Sequence, residues 1–146
     1  KGIELLHSVN HANGVYRRLH HQIVEEHGTL DSKEMFGYGR LLHTLIKRND
    51  LTQKELAEKL EIRPQPLTAA SEKLENKGYI TRLRDQKDHR MQVVHLTDEG
   101  REIGTLLHDL RSKTAEQFFS CLNRDEKEEL LLLLNKVLEN NHASHR

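Results

Sequence analysis

Residues 51–97 carry the stretch that decides the fold, LTQKELAEKLEIRPQPLTAASEKLENKGYITRLRDQKDHRMQVVHLT. Its first part predicts a short helix beginning at Thr52, because Thr52 and Glu55 have the three-residue spacing of a capping box. In that arrangement the threonine oxygen and the glutamate carboxylate each accept a hydrogen bond from a free amide at the helix start. The apolar face of this helix is expected at Leu56, Ala57 and Leu60.

A three-residue turn, Glu61–Arg63, separates this helix from a second one. Helix-turn-helix motifs often place glycine where Glu61 stands, so we expect mild backbone strain at this residue. Pro64 and Pro66 open the second helix, where a missing amide hydrogen costs little because it would have no intrahelical partner. The helix is expected to end at residues 77–78, Lys-Gly.

From Tyr79 the pattern changes to a period of two, which predicts two strands. The alternating residues are Tyr79, Thr81 and Leu83, followed on the return by Met91, Val93, His95 and Thr97. Residues 84–90, RDQKDHR, are too polar for a core and predict a projecting hairpin tip. Helix, turn, helix and hairpin in this order predict a winged helix-turn-helix, which places one helix in a DNA groove and the hairpin beside it.

Helical patterns also precede the motif. An apolar stripe at three- and four-residue steps predicts a long helix over residues 2–27, and Gly28 can close it in the left-handed conformation. The stripe consists of Ile3, Leu6, Val9, Ala12, Tyr16, Leu19 and Ile23. Residues 29–35 predict a polar connection, and a second helix is expected from about Phe36 to Arg48.

After the motif, residues 97–100 start a long helix that is expected to run to about Leu122. Residues 123–126 interrupt it, and a last helix follows that contains five consecutive leucines, Leu130–Leu134. Five leucines in a row cover every face of a helix, so one surface cannot bury them all. We therefore expect a second subunit to pack against this helix.

Composition sets broad limits on the protein. At 146 residues, the chain fits one domain, and its 35% hydrophobic content is lean for an isolated globule. It contains neither a run of about eighteen apolar residues nor the apolar core of a secretory signal, so we expect no membrane association. One cysteine, Cys121, excludes an internal disulfide and fits a reducing compartment. A soluble, cytoplasmic protein is expected.

Charge is distributed unevenly although the formal net charge is zero. Residues 63–97 carry seven Lys and Arg against four Asp and Glu, whereas residues 98–146 carry seven against ten. The basic excess therefore falls on the second helix of the motif and on the hairpin. Such local polarity is typical of a protein that faces phosphates on one side.

The sequence resembles the MarR family of bacterial transcription regulators along nearly its whole length. The motifs that carry the resemblance are LENKG at residues 74–78, DHR at 88–90 and LTDEG at 96–100. The resemblance implies a mainly α fold with a small β-wing, in which each subunit has six helices and a two-stranded wing. It also implies an obligate, interlocked homodimer with dimerisation helices in residues 1–35 and 98–146 and a DNA-binding lobe in residues 36–97.

Family membership would further imply a transcription regulator that binds a palindromic, double-stranded DNA operator, with recognition helices in major grooves and wings at minor grooves. Repression is the commoner mode, although activation stays open. A small-molecule effector would release the DNA. Two alternatives remain, namely a zinc-responsive regulator of the same fold and a winged-helix module for protein contacts. No enzyme signature and no cofactor is predicted.

Candidate DNA contacts follow from position in the second helix of the motif. Gln65, Thr68 and Ala69 lie at its exposed front, where an amide, a hydroxyl and a methyl group can contact base edges. Many family members carry arginine at the position of Ala69, which leaves a guanine contact there in doubt. Arg63 and Lys73 are expected to hold phosphates. The alternative is that Gln65 and Thr68 only cap the helix.

The hairpin tip supplies the other candidates. Arg90 can enter a narrow minor groove, and Asp88 could hold its guanidinium through a bidentate pair. Lys87, Arg84 and Arg82 would add attraction for phosphates. The alternative is an ordinary exposed ion pair, which contributes little.

The histidines and the cysteine are the residues that could sense a metal or an oxidant. The chain has eleven histidines, and His7 and His11 have a helical spacing that can place two imidazoles on one metal. No complete ligand set accompanies them, so we predict no metal and ordinary solvated or half-buried histidines. Cys121 is expected to be a buried, inert thiol. Residues that could line a ligand cleft, or equally form plain core, are Tyr16, His20, Phe36, Tyr38, Leu42 and His43.

Overall fold

A computed structural model describes residues 1–28 and 37–143 and shows six helices and three strands within them. The helices are α1 (Gly2–His27), α2 (Tyr38–Lys47), α3 (Gln53–Leu60), α4 (Pro64–Asn76), α5 (Asp98–Phe118) and α6 (Arg124–Ala143). The strands are β1 (Leu51–Thr52), β2 (Ile80–Arg84) and β3 (Gln92–Leu96). This architecture confirms the predicted winged helix-turn-helix with six helices. The predicted connection at 29–35 and the predicted helix start at Phe36 lie outside the described residues.

The wing belongs to a three-stranded antiparallel sheet with the order β1-β3-β2. In the hairpin Ile80 lies opposite Leu96 and Arg84 opposite Gln92, which is the strand pair that the sequence predicts. β1 adds two residues at the far edge of β3. The sequence analysis did not foresee it, because two residues are too few to show an alternating pattern.

One face of the wing is buried, and it is the face opposite to the residues that mark the alternating pattern in the sequence. Ile80, Val94 and Leu96 are buried, and they lie between the alternating residues that mark the strands in the sequence. Leu83 is 66% exposed, which leaves one large apolar side chain on the opposite face. A period of two identifies a strand, but only the helices packed against the sheet decide which of its faces is buried.

The main core joins α2, α3, α4 and the sheet to α5. Its fully buried side chains include Leu42, Leu45, Leu56, Leu67 and Leu74. Glycines permit the close approach of α5. A Cβ on Gly104 would lie 2.9 Å from Ile46 Cδ1, and a Cβ on Gly100 would overlap the Tyr79 carbonyl. The glycine of the LTDEG motif is therefore required by packing.

Local turns and caps match the sequence predictions. Thr52 Oγ1 accepts from the Glu55 amide at 3.0 Å, and Glu55 Oε1 accepts from the Thr52 amide at 3.2 Å, which confirms the capping box. Glu61 has φ 55° and ψ 42°, so the expected left-handed turn residue is confirmed. Gly28 closes α1 with φ 82°. Asn123 and Glu126 form a second reciprocal cap that starts α6.

α1 and α6 leave large apolar surfaces exposed in the single chain. On α1 only the C-terminal part of the stripe is buried, through Ile23 and Val24 against Leu110 of α5. Near its N-terminus Ile3 is 70% exposed, and on α6 the exposed fractions of Leu130–Leu134 range from 36% to 70%. The leucine run thus finds no cover within the described residues of its own chain, as its sequence predicts.

Cys121 corrects one expectation. Its side chain was expected to be buried, but it is exposed. The helix that was predicted to reach Leu122 ends at Phe118, so Cys121 lies in the connection to α6 and not on an inward helical face. Within residues 1–28 and 37–143, no helix is both long and apolar enough to cross a membrane.

Candidate nucleic-acid interface

The recognition helix of the motif is α4, and its two faces differ sharply. Leu67, Ser71 and Leu74 are buried at three- and four-residue steps. Rotation by about 100° per residue places Gln65 and Ala69 on the opposite side, with Thr68 beside them. All three are exposed. The structure therefore brings the predicted base-contacting residues together on the solvent face of α4.

These side chains do not cap the helix. The N-cap residue is Arg63, and α4 has no side-chain cap hydrogen bond among the described residues. Thr68 Oγ1 donates to the Pro64 carbonyl at 2.9 Å, which uses its hydroxyl hydrogen and turns its methyl group outward as a separate contact surface. Gln65 makes no hydrogen bond to the described residues. Its amide is free for a partner outside the chain.

Arg63 and Lys73, the two predicted phosphate contacts, are exposed on either side of this face. The dipole of α4 adds positive potential at its N-terminus, which favours an anion there. Glu72 lies on the same face, towards the C-terminal half of the helix. The front of α4 is therefore the part suited to approach a DNA backbone.

The wing tip is held by a small hydrogen-bond network. Asp85 and Met91 close the loop through a backbone bond of 2.8 Å, and the Met91 amide donates to the Asp88 carbonyl at 3.0 Å. One oxygen of Asp88, Oδ1, accepts from the Arg90 amide at 3.1 Å and from Arg90 Nε at 3.2 Å. The side chain of Arg90 is nevertheless 93% exposed.

This geometry corrects the expected bidentate pair. A bidentate arginine uses two of its nitrogens on two carboxylate oxygens, whereas here one Asp88 oxygen bridges Nε and the backbone amide of Arg90. Asp88 therefore orients the guanidinium from behind. The two terminal nitrogens of Arg90 make no contact with described residues, and they can meet an outside acceptor.

Arg84 and Lys87 are exposed on the wing as expected, but Arg82 is not. Glu75 of α4 accepts from the Arg82 amide at 3.1 Å and from its guanidinium at 3.0 Å. The Arg82 side chain is 14% exposed. Its hydrogen bond to Glu75 lowers the pKa of that carboxyl. Arg82 therefore links the recognition helix to the wing, and it does not supply the phosphate attraction predicted for it.

A second feature is an open cleft of about 640 Å³ between α1, α2, α3 and α5. Tyr16 and His43, two of the six predicted cleft residues, line it. The cleft is rich in basic side chains, which are Arg40, Lys47, Arg48, Lys59 and Arg111. The sequence analysis missed these residues. The one available signal was the spacing of Arg40, His43 and Lys47 along one face of α2.

The other predicted cleft residues lie elsewhere. Leu42 and Tyr38 are buried in the main core, because α2 turns that face towards α5 and the sheet. His20 is buried between α1 and α5, where its Nδ1 lies 2.8 Å from Thr114 Oγ1. Since that hydroxyl donates to the Leu110 carbonyl, His20 Nδ1 is the donor. Burial, followed by the charge of Arg111, lowers the pKa of His20. Phe36 lies outside the described residues.

The helical spacing of His7 and His11 on α1 is not accompanied by a metal site among the described residues. His7 and His11 are both exposed. Across residues 1–28 and 37–143, no three His, Cys, Asp or Glu side chains converge in a way that could hold a metal ion.

Comparisons with known proteins decide the family. The family model described as the MarR family matches residues 39–91, which span α2 to the wing tip. The uncharacterised helix-turn-helix transcriptional regulator YkoM of Bacillus subtilis is 31% identical over 118 residues, covering 78% of this chain and 76% of that protein. The chain belongs to the MarR family. The resemblance drawn from the LENKG, DHR and LTDEG motifs is thereby confirmed, as is the class of helix-turn-helix transcription regulators.

Further relatives and solved structures are similar to this chain in sequence and in fold. The transcriptional repressor MdtR of Bacillus subtilis is 38% identical over 60 residues, covering 41% of this chain and 39% of that protein. A mutant of MarR from E. coli, crystallised in complex with operator DNA, is 26% identical with a TM-score of 0.80. The match covers 93% of this chain and 94% of that one. A MarR regulator from Methanosarcina mazei Go1 shares the fold over 98% and 99% of the two chains, with a TM-score of 0.77 at 23% identity.

Proposed function

We propose that this MarR protein is a homodimeric, cytoplasmic repressor that binds a palindromic operator and leaves it when a small anionic effector binds. The observation that carries the proposal is the wing tip. Arg90 is 93% exposed, and Asp88 holds it from behind with its terminal nitrogens free. An arginine oriented in this way on a projecting hairpin suits the narrow minor groove, where the negative potential of DNA is greatest.

The face of α4 complements the wing. Gln65 can pair with an adenine edge, and the methyl groups of Thr68 and Ala69 can contact thymine. Arg63 and Lys73 neutralise phosphates and hold the helix in register, as Arg84 and Lys87 do on the wing. One lobe of residues 36–97 would then carry all the DNA contacts, while residues 1–35 and 98–146 form the dimer.

A dimer follows from the uncovered leucines of α6 and the uncovered N-terminal stripe of α1. Contiguous exposed apolar surfaces mark sites of protein association. A twofold axis would place two recognition helices one DNA turn apart, and the operator would share that symmetry. Repression is supported by MdtR, the relative named as a repressor. The operator complex of MarR from E. coli supports the target.

The effector site is the basic cleft. It lies between α1 and α5 on one side and α2 and α3 on the other, so a ligand there contacts both the dimer frame and the DNA-binding lobe. Its volume suits a small molecule, and its cationic lining selects a negative charge. A ligand that prefers one orientation of the lobe would shift the population away from the DNA-binding state.

The test is the loss of one wing contact. Arg90→Ala should weaken binding to fragments selected from genomic DNA by about 10- to 100-fold, because the arginine that contacts the minor groove is lost. The slope of log affinity against log salt concentration should also become shallower by about one, because one phosphate contact is lost. Arg101→Ala, which removes an exposed arginine from α5, should leave the affinity unchanged. Fluorescence anisotropy measures both variants.

Two results would overturn the proposal. If Arg90→Ala bound as tightly as the unmodified protein, the wing would not enter the groove. If the unmodified protein showed no salt-dependent binding to any fragment, the winged helix would be a module for protein contacts. Sedimentation velocity confirms that each variant keeps the oligomeric state of the parent.

A further inference from the structure

The basic cleft holds more positive charge than is needed to neutralise a ligand with one carboxylate. Arg40 is engaged with the Leu60 carbonyl at 3.0 Å, and Arg48 lies 3.7 Å from Glu55. Lys47, Lys59 and Arg111 have no ion-pair partner among the described residues. None of the described residues that line the cleft is an aspartate or a glutamate.

A pair of histidines completes this lining. The rings of His43 on α2 and His108 on α5 are stacked with their centroids 3.8 Å apart and their planes within 2°. Nδ1 of each ring is buried and has no hydrogen-bond partner among the described residues. An unpaired buried nitrogen costs free energy, and the stacked pair places two of them side by side in the wall of the cleft.

Among the described residues, the charges around His43 all have the same sign. Burial lowers the pKa of His43, and the neighbouring His108, Lys47 and Arg111 lower it further. The remaining charged groups of the cleft are Arg40 and Arg48 on the α2 side and Lys59 on α3, while α1 contributes the Tyr16 ring. The empty cleft therefore keeps the His43 imidazole neutral at neutral pH. An anion placed among these groups reverses the local field and stabilises the imidazolium.

We propose that this cleft binds a small organic dianion and that each bound dianion brings one proton from solvent onto His43. Two negative charges offset most of the unpaired positive charge of Lys47, Lys59 and Arg111, and they stabilise the imidazolium of His43. The effect of this ligand on DNA rests on the proposed function, whereas the binding itself does not. The ligand's affinity then rises as the pH falls.

The sign of the pH dependence follows from linkage. The pKa of His43 is low in the empty cleft and higher in the occupied one. Above the higher value no proton is taken up and the affinity is flat. Between the two values the affinity rises by about tenfold for each unit of pH decrease, and below the lower value it levels off again.

Calorimetry with two sulfonates tests the charge and the proton together. Benzene-1,3-disulfonate and benzenesulfonate are strong acids, so their own charge does not change between pH 6 and pH 8. The disulfonate should bind at least tenfold more tightly than the monosulfonate. Repeating the titration in two buffers of different ionisation enthalpy counts the protons taken up. At a pH between the two pKa values of His43, the count should be close to one proton per disulfonate.

Three variants locate the effect. His43→Gln should retain measurable disulfonate binding and lose the proton uptake, while Arg111→Gln should lose most of the affinity. Lys113→Gln removes an exposed charge from α5 outside the cleft, and it should change neither quantity. Circular dichroism checks that each variant folds, and the proton count in the unmodified protein stands without any variant.

The proposal is overturned by equal affinity for the two sulfonates, by the absence of proton uptake in the unmodified protein, or by uptake that persists in His43→Gln. All these titrations are made without DNA. A protein that binds the disulfonate with a proton but never binds DNA would therefore remove the proposed function and leave this site intact.

Discussion

At the scale of one residue, Glu61 shows how the motif tolerates backbone strain. The turn between α3 and α4 requires a left-handed residue, and Glu61 adopts φ 55° there without being a glycine. Its amide still donates to the Glu58 carbonyl at 3.3 Å, which closes α3. Glu61 Oε1 also accepts from His142 of α6 at 2.8 Å, and this hydrogen bond lowers the pKa of Glu61. The strain is therefore tolerated in a turn that α6 also contacts.

Glu61→Gly should stabilise the protein, because glycine adopts the left-handed conformation without the clash of a Cβ atom. We expect the melting temperature to rise by about 1–3 °C, after allowing for the larger entropy of the unfolded glycine chain. Glu58→Gly, inside α3, should lower it by a similar amount because glycine is a poor helix former. A lower melting temperature for Glu61→Gly would show that the contact with His142 outweighs the strain.

At the scale of secondary-structure elements, the link between α4 and β2 makes the recognition helix and the wing one unit. Glu75 bonds to both the backbone and the guanidinium of Arg82, and both partners are set back from the exposed face of α4. The link fixes the distance between the two elements that we propose enter neighbouring grooves. Its value lies in positioning, since a partly exposed ion pair adds little stability by itself.

Glu75→Ala should weaken DNA binding by roughly two- to tenfold, the loss expected for a hydrogen bond that positions the wing. Glu72→Ala is the matched control, because Glu72 is exposed on the same helix and has no ion pair among the described residues. It removes the same negative charge and should tighten binding slightly. Equal changes in the two variants, measured by anisotropy, would show that only charge matters and that the link positions nothing.

At the scale of the whole molecule, the uncovered helices α1 and α6 make the single chain incomplete. Leu131 is 60% exposed and Leu134 is 42% exposed, on a helix that touches the rest of its own chain at few points. A second copy would bury these side chains and position two recognition helices together. DNA affinity and subunit association are therefore coupled in the proposed dimer.

Leu131→Glu combined with Leu134→Glu should convert the dimer to a monomer, because two charges cannot be buried without partners in an apolar interface. Sedimentation velocity measures the change, and the affinity for a palindromic fragment should fall with it. Lys136→Glu on the same helix makes the same change in net charge and should leave the dimer intact. A double variant that remains dimeric would place the interface elsewhere.

The fold could largely be predicted from short-range patterns. The capping box at Thr52 and the left-handed turn at Glu61 depend on residues within four positions of each other, and the hairpin after Gly78 shows as an alternating pattern in each strand, so their physics is visible in the sequence. The end of α5 was less predictable, because Phe118, Phe119 and Leu122 continue an apolar pattern past the last helical turn. Cys121 was misjudged for that reason.

The sequence by itself determined the order of the helices and of the two wing strands, the positions of the exposed wing tip and recognition face, and the need for a partner at the leucine run. Only the tertiary structure decided which face of the wing is buried, that Arg82 turns to Glu75, and that a cationic cleft forms around His43 and His108. The first group depends on neighbours along the chain. The second depends on residues such as His43 and His108, which lie far apart in sequence and meet only when the helices pack.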